Sequence, residues 1–128
     1  MKLNLDCIRE ILLQMEEIPY NGFLEIESLH AALSTYSEDE IMYSVQKLIE
    51  ADFITAVTTK GWGETYINGV KDITFEGHQF LANIREDNNW KQIKSISSNI
   101  VFAGLKIITA ISEGVATAAI NKYLGFSN

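Results

Sequence analysis

Residues 37–68 read SEDEIMYSVQKLIEADFITAVTTKGWGETYIN, and this run decides the fold. It opens with Ser37-Glu38-Asp39-Glu40, the pattern of a capping box. The serine hydroxyl accepts from the amide of Glu40, and the Glu40 carboxylate reaches back to the chain entering the helix. Acids in that first turn also suit the positive end of the helix dipole. Ile41, Val45, Leu48 and Ile49 then recur at helical spacing as a core stripe running to Ala51. Met42, Tyr43, Gln46, Lys47 and Glu50 are left on or near the other face. Two β-prone stretches follow, 53–58 and 64–68, and Thr59-Lys60-Gly61-Trp62-Gly63 between them has the composition of a hairpin tip.

Toward the N-terminus, Ile8, Ile11, Leu12 and Met15 mark a first helix, with Asn4 or Asp6 as its cap and Pro19-Tyr20-Asn21-Gly22 as its terminating turn. Phe23-Leu24-Glu25-Ile26 suits a short strand, and a short helix is expected over about Glu27 to Leu33. Beyond the hairpin, Thr74 caps a helix from Phe75 to about Glu86, with Phe80, Leu81 and Ile84 facing inward. The order helix, strand, helix, helix, hairpin, helix is that of a winged helix-turn-helix. The expected fold is therefore α+β, mainly helical: a winged-helix domain over residues 1–87, then residues 88–128 as a connector and an oligomerisation helix.

The last segment has a different character. Between Ser98 and Leu124 only Gly104 and Gly114 weaken a helical pattern, and Gly125 supplies a stop. A helix of that length is a rod of roughly 40 Å. Its polar residues, Asn99, Lys106, Thr109, Glu113, Thr117 and Asn121, fall mainly on one stripe. Ile100, Val101, Ala103, Leu105, Ile107, Ile108, Ile111, Val115 and Ala119 make the remainder apolar. A helix that is apolar around most of its circumference must be covered on several sides. A small domain covers one of them, so a second copy of the chain is the expected partner. Ile100, Ile107, Ile111, Ala110, Gly114 and Ala118 form the expected homodimer interface, and the last three, spaced by four, let two backbones approach closely. Lys106 and Glu113 interrupt the run, so no membrane span is expected.

Composition narrows the function. The chain has 128 residues, of which 47% are apolar and 21% charged, ordinary values for one folded domain with an appendage. Its first six residues already include charges, with no apolar targeting segment, so the cytoplasm is the expected compartment. The formal charge is −7, and it is unevenly placed. Residues 97–128 carry only Glu113 against Lys106 and Lys122, so the acidic excess lies entirely in front of them. A nucleic-acid binder ordinarily shows a basic footprint, because neutralising phosphates releases counterions. Any such footprint here has to be local.

Three segments together resemble a family of small uncharacterised proteins from Gram-positive bacteria and their prophages. They are the opening MKLNLDCIREILL of residues 1–13, the middle block Tyr43 to Leu48 with Ala51-Asp52-Phe53-Ile54, and ITFEGHQFLANIR of residues 73–85 with Trp90-Lys91. The family has glycine where this chain has Asp52, which predicts a tight helix exit. The resemblance implies a winged helix, an apolar C-terminal helix and a phage or prophage setting. It implies no activity and carries over no catalytic residue.

The residues themselves offer no enzyme. His30 and His78 lack a second histidine one turn away, and a lone Cys7 cannot build a thiolate cluster, so no metal or cofactor is expected. No nucleophile elbow occurs, and Gly61-Trp62-Gly63 lacks the lysine, hydroxyl and following helix of a phosphate cradle. Trp90 reads as a packing residue between helices.

Binding remains. As a DNA reader, residues 37–51 would enter the major groove with Tyr43, Gln46 and Lys47, and the wing would offer Lys60, Trp62, Tyr66 and Lys71. Yet Glu38, Asp39, Glu40 and Glu50 outnumber Lys47 on that helix. As a protein binder, the chain would present Met42, Tyr43, Trp62 and Tyr66, the residue types of interface cores, inside an acidic surround that steers basic partners. A protein partner is the expectation, such as a host defence or nucleic-acid-handling protein; the alternative is a dimeric DNA-binding regulator.

Overall fold

The capping box at residue 37 forms as expected. In the computed structural model, which describes residues 1–100 and 104–125, the Ser37 hydroxyl accepts from the Glu40 amide at 3.1 Å. Glu40 Oε1 accepts from the Ser37 amide at 3.2 Å. The helix so started, α3, spans Glu38–Glu50. It follows α1 (Leu5–Met15), β1 (Leu24–Glu25) and α2 (Ile26–Ala32). After it come β2 (Ile54–Lys60), β3 (Thr65–Ile73), α4 (Phe75–Ile84), α5 (Asp87–Ser97) and α6 (Leu105–Tyr123). The described residues thus make a mainly helical α+β chain of six helices and one three-stranded antiparallel sheet. They form two compact units, Met1–His78 and Gln79–Asn128.

In the first unit, α1 is capped by Asn4, whose side-chain oxygen accepts from the Cys7 amide at 3.2 Å. The side-chain nitrogen of Asn4 donates to Glu40 Oε2 at 2.7 Å, tying the start of α1 to the start of α3. The Asn4 bond, and then the Ser37 backbone bond, hold the Glu40 carboxyl below its ordinary value. Such a group stabilises the fold above the unfolded carboxylate pKa, and its contribution fades as pH falls through the lowered folded pKa. Glu40→Gln is therefore expected to melt below the parent at neutral pH, with the gap closing as both are acidified. A gap that persists in acid would show that charge is not what Glu40 contributes.

The core of this unit joins Cys7, Ile8, Ile11, Leu12 and Met15 of α1 to Leu29, Leu33, Ile41, Val45, Leu48, Phe53, Ile54, Val70 and Ile73. Each fully buried aliphatic side chain contributes about 1.5–3 kcal/mol. One expectation for α3 changes: Ile49 is only half-buried, and Ser44 is buried in the stripe instead. Among the described residues the Ser44 hydroxyl has no hydrogen-bond partner, although it lies close enough to the Cys7 thiol to offset part of the upward pull of burial on that thiol.

The exit of α3 accounts for the strained position of Asp52. Asp52 takes a left-handed φ of 63°, its amide donates to Ile49 O, and the Phe53 amide donates to Leu48 O. These two bonds make a Schellman ending, whose left-handed position favours glycine. Asp52→Gly is expected to stabilise the chain by about 0.5–1 kcal/mol, because the left-handed region costs an L-residue about that much. A denaturation midpoint that does not rise would sink this reading.

The sheet runs β1-β3-β2. β1 is shorter than expected, pairing only Leu24 with Val70 and Glu25 with Gly69. Gly69 is required there, since a Cβ would stand 2.5 Å from Leu24 O. The hairpin strands are longer than their β-prone cores, because pairing carries Thr59 and Lys60 out to Tyr66 and Thr65. The register slips twice, leaving Lys71 and Asn68 of β3 with no residue opposite on β2. Such bulges increase strand twist.

In the second unit, Phe80, Leu81, Ile84, Trp90 and Ile93 are buried. Trp90 packs as expected, with the Lys94 ammonium 5.9 Å from its ring centre. The long terminal helix does not begin at Ser98. α5 ends at Ser97, and around that end Ser97 and Ser98 bond back to the carbonyls of Lys94 and Ser95, and Asn99 bonds back to Ser95 O. Gly104 then caps α6, whose 19 residues span about 28 Å. Ile100, assigned to the interface, therefore lies outside α6, while Val101 and Ala103 lie outside the described residues. Glu86, Asn88 and Gln92, at the start of α5, share a cleft with Ala118, Lys122 and Tyr123 at the end of α6, so the two helices run antiparallel.

Candidate interaction surface

The outer side of α3 divides into two shoulders. On one, Tyr43, Lys47 and Glu50 are spaced by four and three residues, so their side chains meet. The Lys47 ammonium lies 3.1 Å from Glu50 Oε2 and 5.2 Å from the Tyr43 ring centre. The Glu50 bond holds the lysine above its ordinary range. The one base of α3 is thus already partnered by an acid, and of the expected readers on α3 only Gln46 is exposed. The other shoulder carries half-buried Met42 and Ile49. Gln46, four residues on from Met42, lies between the two shoulders.

The hairpin tip is closed by the Gly61 amide donating to Glu64 O at 2.8 Å. Gly63 adopts a φ of 75° there. Trp62 stands wholly in solvent, 102% exposed. Tyr66 lies over Gly61, where a Cβ would meet its ring at 2.7 Å, and its hydroxyl donates to Glu64 Oε2 at 2.8 Å. Lys60 and Lys71 are exposed, and neither has an ion-pair partner among the described residues.

Between the hairpin and the helices lies a groove of about 560 Å³ that the sequence did not reveal. Phe23, Ile26, Met42, Val57 and Ile67 give it an apolar lining, and Glu25, Glu27 and Asn68 supply its polar groups. A smaller pocket of about 180 Å³ shares Ile26, Glu27 and Met42 and adds the His30–Glu38 pair, 3.3 Å apart. No lysine or arginine lines either one. Among the described residues there is also no cluster of three His, Cys, Asp or Glu side chains suited to a metal. The groove residues are scattered over β1, α2, α3, β2 and β3, so no linear motif marks them. The only sequence signal is the alternation of Phe23 and Glu25 around inward-facing Leu24.

The family model described as "Hypothetical protein (DUF2513)" matches residues 2–102. The chain belongs to that family. The match includes every element of the first unit and ends before α6. An uncharacterized protein of Haemophilus influenzae is 27% identical over 117 residues, which cover 90% of this chain and 95% of that protein. No solved structure matches.

On α6, the buried residues Leu105, Ile108, Ser112 and Val115 occupy one side. Ile107, Ala110, Gly114 and Ala118 are exposed and Ile111 half-exposed. These five fall together on a helical wheel, away from the buried stripe. No helix of the described residues is long and apolar enough to cross a membrane.

Proposed function

We propose that this member of the family is a non-catalytic winged-helix binding protein that acts through a protein partner and pairs with a second copy through α6. The order α1-β1-α2-α3 followed by a hairpin with an exposed aromatic tip supports the winged-helix assignment. The observation that carries the partner class is the state of α3. Its lysine is bonded to Glu50, its first turn holds three acids, and its other shoulder opens onto an apolar groove edged by glutamates. That surface repels phosphate and suits a basic protein. In the phage or prophage setting implied by the resemblance, nucleic-acid-handling and host defence proteins are the fitting partner classes.

The DNA-regulator reading draws on Lys60 and Lys71, which are exposed, although Glu64 and Asp72 on the same hairpin match their charge. The two readings separate experimentally. Immobilised chain is expected to retain a basic protein from host lysate after nuclease treatment, and Tyr43→Ala or Trp62→Ala is expected to release it. A salt-sensitive shift of a defined duplex that requires Lys47 and Lys60 would overturn the proposal in favour of DNA.

A further inference from the structure

The sheet is incomplete on the side where the groove lies. β1 pairs only with Gly69 and Val70, so among the described residues the same side of β3 from Thr65 to Asn68 has no strand beside it. An open strand edge of this kind is a template for another backbone. Asn68 is also a bulge residue with no β2 residue opposite it, and its side chain is turned to donate to the Thr59 hydroxyl. The groove reaches this edge, where Ile67 and Asn68 line it with Phe23, Ile26 and Met42, and extends across the hairpin to Val57 of β2. Its charged groups are Glu25 and Glu27, both exposed, with no base among the lining residues.

We infer that the groove takes an extended segment of a partner protein, added as a strand beside Thr65–Asn68, with apolar side chains toward Phe23, Met42 and Ile67 and Lys or Arg toward Glu25 and Glu27. Main-chain bonding along the edge supplies affinity, and alternate side chains supply selectivity. The charge pattern fixes the chemistry of the segment: an acidic strand of the same shape is repelled by both glutamates. This inference rests on the protein-binding reading and deepens it.

The test uses the whole chain and four capped peptides. One alternates valine and lysine, one alternates valine and glutamate, and two repeat the lysine peptide with its amides N-methylated either at every valine or at every lysine. The lysine peptide is expected to bind saturably and to shift the backbone resonances of Ile67, Asn68 and Glu25, whereas the glutamate peptide does not bind. Only one of the two methylated peptides should lose affinity, by about tenfold or more, because a strand directs successive amides to opposite sides. Exchanging Glu25 and Glu27 together for lysine, at exposed positions, should weaken the lysine peptide by about tenfold. Equal affinity of the two methylated peptides shows adsorption of a polycation and overturns the inference. So does the absence of any resonance shift at Ile67 and Asn68. Failure here alongside retention of a host protein leaves the protein-binding reading standing and removes only strand addition. Failure alongside a specific duplex shift removes both.

Discussion

Replacing Gly77 with alanine is expected to destabilise the chain by about 3 kcal/mol, in the range of overpacked sites. In an exposed helix interior the same change gains about 1 kcal/mol, because alanine gives up less backbone freedom than glycine. The sign reverses here because of what stands next to the first turn of α4. A Cβ on Gly77 would collide with the carbonyl oxygen of Phe53 and come within 2.8 Å of Ile73 Cγ2. Moving the helix aside is not cheap. Phe53 O already accepts from the Thr74 amide at 2.9 Å. The Thr74 hydroxyl donates to Asp52 O at 2.6 Å and accepts from the Gly77 amide at 3.1 Å. One side chain therefore joins the exit of α3 to the cap of α4, and Gly77 lets the two approach. Gly114→Ala is the internal control. Nothing lies within 4 Å of its Cβ position, so the monomer should gain where Gly77→Ala loses. A denaturant midpoint that does not fall for Gly77→Ala would refute the close-approach account.

That junction also shows what was legible in the sequence. Thr74 as a cap and the capping box at Ser37 are local, and each follows from a few adjacent residues, whereas the glycine-like demand at Asp52 was implied by the family resemblance. The stripe of α3 was legible except where a small polar residue took an apolar place. Ser44 fits against Cys7 of α1 because it is small, and hydrophobic spacing cannot register that. The break before α6 was missed for a related reason. Serine and asparagine are tolerated inside helices, and return bonds like those of Ser97, Ser98 and Asn99 also occur inside α6 at Thr109 and Ser112, so no residue type marks the stop. The candidate surface was legible in part. Trp62 and Lys60 are exposed as their tip position implied, but the sequence could not show that Lys47 is engaged by Glu50. Nor could it show the groove, whose lining becomes contiguous only when five elements meet.

Introducing a large side chain at Gly114 is expected to convert a dimer into a monomer. Within α6 the position is open, with no other part of the described residues within 4 Å of where a Cβ would stand beyond the helix's own backbone, so a leucine there has room in a single chain. Removing a helix-interior glycine should even raise the stability of that chain by up to about 1 kcal/mol. The cost arises only if a second backbone lies against Ala110, Gly114 and Ala118, where small residues set the approach distance. The opposite signs expected for monomer stability and for association make this variant more informative than a core truncation, which would lower both. Ile107→Glu provides an independent arm. Ile107 is 40% exposed, so the charge remains solvated in one chain and is buried without a partner in a dimer. A penalty of several kcal/mol corresponds to at least about 100-fold weaker association. Light scattering across a concentration series reads both variants against the mass of a single 14.4 kDa chain. A parent that stays at that mass at every concentration, or a Gly114→Leu variant that dimerises as the parent does, would remove α6 pairing from the proposed function. The groove, which belongs to the first unit, would then have to act in a single copy.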